Sequence, residues 1–223
     1  MKNIKSILIG AALTFTANVA MADQIGLVGL YKNGTGLNEV SVAALGCSVA
    51  REGSIVAAQG KLSPDLPQPD QFVLLACDQP VMTSSDRRAA VSALFTDGDV
   101  IAAFEGALAD FQLGNDTSGI SQRQYILKLG YYNNADVDGR EADLAALDTL
   151  ASAREGRWTT EAFLAVHSSV GIPTPDEAVL LHYETAEIAE KFRQDNADLL
   201  VEVGTFNDAH LTAFTYLVGA ATR

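Results

Sequence analysis

Apolar positions along this chain fall into short runs, and the runs recur. Ile25 to Tyr31 is an apolar stretch that predicts a strand. In Leu37 to Arg51, Val40, Ala43, Ala44 and Cys47 sit at i, i+3, i+4 and i+7, which predicts a helix with one apolar stripe. Ser54 to Gly60 predicts a second strand. A loop carrying Pro64, Pro67 and Pro69 leads to a third, strongly apolar strand at Phe72 to Cys77. A second helix is expected from Asp86 to Phe95, broken at Asp97-Gly98-Asp99. After a short helical turn, a fourth strand is expected at Leu108 to Leu113.

The same order then repeats. Tyr125 to Tyr131 predicts a strand, and Glu141 to Ala153 a helix with Leu144, Leu147 and Ala151 on one face. Ala162 to Ser168 and Ala178 to Glu184 predict strands on either side of the proline loop Gly171 to Asp176. Ala186 to Arg193 predicts a helix interrupted at Asp195-Asn196, and Leu211 to Leu217 a last strand. Local matches accompany the pattern. Pro69-Asp70 before Val73-Leu74-Leu75 recurs as Pro175-Asp176 before Val179-Leu180-Leu181, and Ala50-Arg51-Glu52-Gly53 as Ala153-Arg154-Glu155-Gly156. The predicted class is α+β: two tandem ferredoxin-like β-α-β-β-α-β units, residues 23–113 and 124–223, joined by a polar linker at 114–123. The sheet face left bare by the helices must be buried. Two such faces pressed together make an intrachain pseudo-dimer.

Residues 1–22 read as a segment to be removed. Lys2 and Lys5 precede an apolar run from Ile7 to Phe15, and Ala20-Met21-Ala22 has the small-x-small form of a cleavage site. The expected location is therefore periplasmic or secreted, with no membrane association after cleavage. The formal charge is −13, and loss of two lysines makes the mature chain more acidic. That balance opposes binding to nucleic acid phosphates and to anionic membranes. Cys47 and Cys77 are the two cysteines. In an oxidising compartment they predict one disulfide inside the first unit, placed between helix one and strand three.

The first unit resembles the YCII-related branch of the dimeric α/β-barrel superfamily, to which antibiotic-biosynthesis-type monooxygenases belong. The likeness rests on Arg51-Glu52-Gly53-Ser54-Ile55-Val56 with Gly60, on Phe72-Val73-Leu74-Leu75, and on Asp97 or Asp99 ahead of Val100-Ile101 and Gly106. It covers most of residues 25–113 and, more weakly, 124–219. The resemblance implies a His/Asp dyad with its histidine in helix one. Neither helix one contains histidine, so that activity is not carried over.

All three histidines fall in the second unit. Strand alternation, with Val179, Leu181 and Tyr183 turned to the helices, puts His182 on the open face. The same reasoning with Tyr125, Leu127 and Leu129 turned to the helices leaves Lys128 open, and it adds His167, His210 and Tyr216. Lys128, His167, His182, His210 and Tyr216 thus form the candidate ligand pocket. Such a lumen suits a small organic ligand, and three imidazoles also suit a metal or haem iron, although no metal or cofactor is assigned. Three readings follow. One is a small-molecule binder with its ligand between the units. Another is a cofactor-independent monooxygenase- or isomerase-type enzyme, with His182 or His210 as base and Lys128 stabilising an oxyanion. The last is an interaction module with a dry inter-unit face. Self-association is compatible with all three.

Overall fold

The computed structural model describes residues 24–34, 36–61, 66–83, 87–110, 113 and 118–222. The expected signal segment and residues 114–117 of the expected linker lie outside them. Among the described residues, no helix is long and apolar enough to cross a membrane.

The chain forms a closed eight-stranded antiparallel barrel with helices outside it. The first half supplies β1 (Ile25–Lys32), β3 (Cys47–Lys61), β4 (Gln71–Cys77) and β6 (Asp99–Asp110), with helices α1 (Glu39–Ala44) and α2 (Arg87–Ser92). Two short strands, β2 (Gly36–Leu37) and β5 (Phe95–Thr96), pair beside it. The second half supplies β7 (Gln124–Tyr132), β8 (Thr159–Val170), β9 (Glu177–Tyr183) and β10 (Leu211–Ala221). Its helices are α3 (Val137–Ser152), α4 (Ala186–Asp195) and α5 (Ala197–His210). Around the barrel the order is β1-β4-β3-β10-β7-β9-β8-β6. Each half therefore runs fourth strand, first, third, second. The seams between halves are β3 with β10 and β6 with β8.

The repeated Pro-Asp step has the same job in both halves. Asp70 N donates to Tyr31 O at 2.9 Å, and Asp176 N donates to Gly130 O at 2.9 Å. The carboxylate of Asp70 accepts from Asn33 N at 3.1 Å, and that of Asp176 accepts from Tyr132 N at 2.7 Å. Both second strands bulge at one depth: Ala50 at the step facing Leu75 and Leu74, and Glu161 at the step facing Leu181 and Leu180. The Ala-Arg-Glu-Gly match has no such meaning. Residues 50–53 lie in β3, whereas 153–156 form the turn after α3.

Three apolar clusters divide the interior. One lines the lumen and draws on all eight barrel strands, including Val28, Ile55, Leu74, Phe104, Leu127 and Leu180. The others lie between sheet and helices, around Tyr31, Met82 and Val91 in the first half and around Trp158, Phe192 and Phe206 in the second. Eight strands enclose a space that side chains can fill, and here they fill it.

Several expected elements are corrected. Helix one of the first half ends at Ala44, not Arg51. Gly46, at φ +69°, takes the left-handed turn that stops it, and Cys47 opens β3. The expected stripe is not inward: Val40 is 80% exposed, and Val42 is the buried residue. The fourth strand begins at Asp99 in place of a helical turn. The disulfide joins Cys47 to Cys77 as expected, but it crosses from β3 to β4 at directly paired positions rather than from helix to sheet.

Reducing the bridge, or replacing both residues by serine, is expected to destabilise the fold by about 2–4 kcal/mol. Urea denaturation of the mature protein with and without a phosphine reductant measures this. Superimposable curves would mean that the bridge is energetically idle.

Candidate functional site

The barrel end where β3, β7 and β8 begin and β9 finishes carries a buried charged cluster. Its centre is Glu161, with no exposed surface. Glu161 is the extra residue of the β8 bulge, and bulges of this kind re-aim a side chain. Arg51 Nε donates to Glu161 Oε2 at 2.7 Å, and Tyr125 OH donates to Oε1 at 2.8 Å. Arg123 Nη1 donates to Oε1 at 3.2 Å, and His182 Nδ1 lies 3.0 Å from the same oxygen. Arg51 belongs to the first half and the rest to the second. Burial works to raise the Glu161 pKa. His182, Arg51 and Tyr125 outweigh it and hold the carboxyl below its ordinary range. Burial pushes the Tyr125 phenol up, so it remains a neutral donor.

At the rim stands Glu184, just past β9, with its side chain 63% exposed. Glu184 Oε1 is 3.3 Å from His182 Nε2, and Oε2 is 3.7 Å from Arg123 Nε. His182 thus has Nδ1 close to a buried carboxylate and Nε2 in a hydrogen bond with a carboxylate at the surface.

Of the five residues predicted for a common pocket, only His182 shares this place. Ile126 packs with the helices while Tyr125, Leu127 and Leu129 line the lumen, so the facing assumed for strand β7 is reversed. Lys128 therefore lies under the helices. It is buried and donates to Glu177 Oε1 at 2.6 Å. Burial alone would lower the Lys128 pKa, but the Glu177 carboxylate and the Tyr216 phenol reverse this and raise it. Tyr216 is opposite Lys128 on β10, and its hydroxyl accepts from Asn207 Nδ2 at 2.9 Å. Tyr132 OH also donates to Glu177. His210 is not a strand residue. It ends α5, where its Nε2 is 2.7 Å from Asp143 Oδ2, beside a groove of about 160 Å³ between α3 and α5. His167 is exposed at a bulge in β8. The three imidazoles do not converge, and among the described residues no His, Cys, Asp and Glu side chains group to hold a metal.

Sequence reasoning missed Arg51, Arg123, Glu161 and Glu184. Glu161 carried a signal: a lone acid at the start of an apolar strand whose neighbours are buried needs a partner.

No protein-family model matches the chain, and no curated protein matches it by sequence. Solved structures do match in fold. An anthrone oxidase-like protein is 9% identical, with a TM-score of 0.51, covering 90% of this chain and 92% of that one. A mutant chlorite dismutase from Candidatus Nitrospira defluvii in complex with cyanide is 13% identical, with a TM-score of 0.55, covering 91% and 92%. These neighbours are dimeric α/β-barrel proteins, and the chain shares that fold.

Glu161→Gln leaves Arg51 buried without its counter-charge and is expected to cost about 3–5 kcal/mol. The sign of its pH dependence follows from the depressed folded pKa. An unfolded Glu titrates at about 4.3. The carboxylate's contribution is thus complete above that value and is lost as pH falls towards the lower folded pKa. Urea denaturation between pH 7 and pH 3 should show the wild-type advantage over Glu161→Gln shrinking only at the acid end. A pH-independent difference would contradict this.

Proposed function

We propose that this chain is an exported small-molecule-binding protein built from two ferredoxin-like units in tandem, with its ligand met between the units at the end of the barrel that carries Glu161. One observation carries the reading: the buried Glu161 accepts from both halves, from Arg51 of the first and from Arg123 and Tyr125 of the second, with His182 Nδ1 3.0 Å away. Elsewhere the lumen is apolar and filled, so recognition chemistry is concentrated at this end. An interaction module would be dry along the whole inter-unit face, and this cluster departs from that. The equal strand order, the paired Asp70 and Asp176 contacts and the matching bulges support the tandem origin. The basic-then-apolar start and the disulfide support export.

A second reading is favoured by the placement of His182. With Nδ1 at Glu161 and Nε2 at the rim, it suits a general base of a cofactor-independent monooxygenase or isomerase. The imidazole takes a proton from the substrate, and Glu161 balances the imidazolium. Arg123 replaces Lys128 as the group that meets the developing oxyanion, because Lys128 is committed to Glu177 on the other face of the sheet. The name of the anthrone oxidase-like neighbour is compatible with this chemistry.

Native mass spectrometry of protein purified from the periplasm tests the first reading. The polypeptide mass is expected to correspond to a start near Asp23, and the native mass to exceed it by a releasable small molecule. His182→Ala is expected to lose that molecule while keeping the fold. Retention of the ligand by His182→Ala would rule out this end of the barrel as its site.

A further inference from the structure

We infer that the barrel mouth is a site for a small organic carboxylate, and that Glu184 occupies it as an internal competitor when no ligand is bound. This rests on the reading of the Glu161 end as the ligand site and adds the chemical class.

The first ground is an unmet hydrogen-bonding demand. Arg51 is almost wholly buried. Its Nε donates to Glu161, and its Nη1 donates to Ala50 O at 2.6 Å. Its Nη2 is buried with no acceptor. A buried guanidinium with an unused donor is costly, and a carboxylate is the acceptor whose charge and planar geometry suit it best. The second ground is charge. The buried cluster holds two guanidinium groups, Arg51 and Arg123, against the single buried carboxylate of Glu161. Glu184, at the surface, supplies the remaining negative charge.

The pose of Glu184 is the third ground. One of its oxygens faces His182 Nε2 and the other faces Arg123 Nε, at 3.3 and 3.7 Å. A carboxylate thus already stands within hydrogen-bond reach of His182 and in charge contact with Arg123, beside the cluster that holds Arg51. Glu184 is mostly exposed, and ion pairs of that kind contribute little, so a ligand displaces it at small cost. The Tyr125 ring lies buried beneath this end, 5.5 Å from the His182 ring centroid.

Calorimetric titration of the mature, disulfide-bonded protein with sodium benzoate, and with benzamide as its neutral counterpart, tests this. Benzoate is expected to bind and benzamide to bind at least about ten-fold more weakly. Glu184→Gln removes the competitor and should tighten benzoate by about two- to five-fold. Arg123→Gln should weaken benzoate by about ten-fold or more, with circular dichroism confirming the fold. Glu184 is a surface residue, so that arm remains decisive if Arg123→Gln does not fold. Weaker benzoate binding by Glu184→Gln overturns the competitor role. Equal binding of both compounds, abolished by His182→Ala, overturns the carboxylate class and leaves the ligand end standing. Binding of neither compound overturns the carboxylate inference, while the native mass measurement decides the ligand end separately.

Discussion

A four-stranded sheet covered by helices on one face has two unpaired edges and one bare face, and both must be satisfied. Here the two seams, β3 with β10 and β6 with β8, do this together. Pairing the edges curls both sheets into one barrel and turns both bare faces into its interior. The backbones come close at the seams. A Cβ on Gly219 would meet Ser54 O at 2.0 Å, so that position in β10 must stay glycine. Closure also limits what the interior can hold. Eight strands leave room for one interdigitated set of side chains, and Leu74, Phe104, Leu127 and Leu180 are among those that take it. A ligand in the middle of the barrel would have to replace core side chains. One at an end need not.

Among the described residues, two buried groups of opposite charges lie on opposite faces of the same sheet. Lys128 and Glu177 sit under the helices of the second half, with Tyr132 and Tyr216 around them. Each charge there has its partner, and the helical layer seals the pair from solvent. Glu161 sits at the lumen end, and its group is less complete: Arg51 keeps an unused donor, and the link to the surface runs through the exposed Glu184. A closed, satisfied pair holds a fold together. An open one, reaching solvent through a single movable carboxylate, can respond to what arrives there.

Strand positions were largely legible, because the apolar runs are long and bounded by proline and glycine. Strand facing was legible only in part. In β4 and β9, cysteine and tyrosine marked the helix side, and Cys77, Val179 and Leu181 are placed as expected. In β7 every residue from Tyr125 to Tyr131 is buried, so both alternating sets are apolar or satisfied and the pattern contains no phase. The opposite phase in β7, and in β10, where the strand starts at Leu211 as expected but Tyr216 packs with the helices, is what groups Lys128 with His210 and Tyr216 in the sequence. The bulges were invisible for a related reason. A one-residue insertion leaves the apolar count unchanged, yet it decides that Glu161 points inward.

The bulges also let the two halves be compared residue by residue along one backbone plan. Matching Leu74 with Leu180 aligns Ala50 with Glu161, Cys47 with Trp158, and Cys77 with Tyr183. The first half thus has a small apolar residue where the second has the central carboxylate. Where the first half is bridged by Cys47–Cys77, the second packs Trp158 edge-on to Tyr183, with ring centroids 6.4 Å apart. The difference follows the helical cover. Helices α1 and α2 have six residues each and offer little to bury, whereas α3, α4 and α5 supply Leu147, Phe192 and Phe206. A covalent staple substitutes for a thin core in one half, and an aromatic core serves in the other. The stapled strand β3 begins four residues before Arg51. The disulfide therefore fixes the start of the strand that brings Arg51, the charge the first half contributes among the described residues, into the Glu161 cluster.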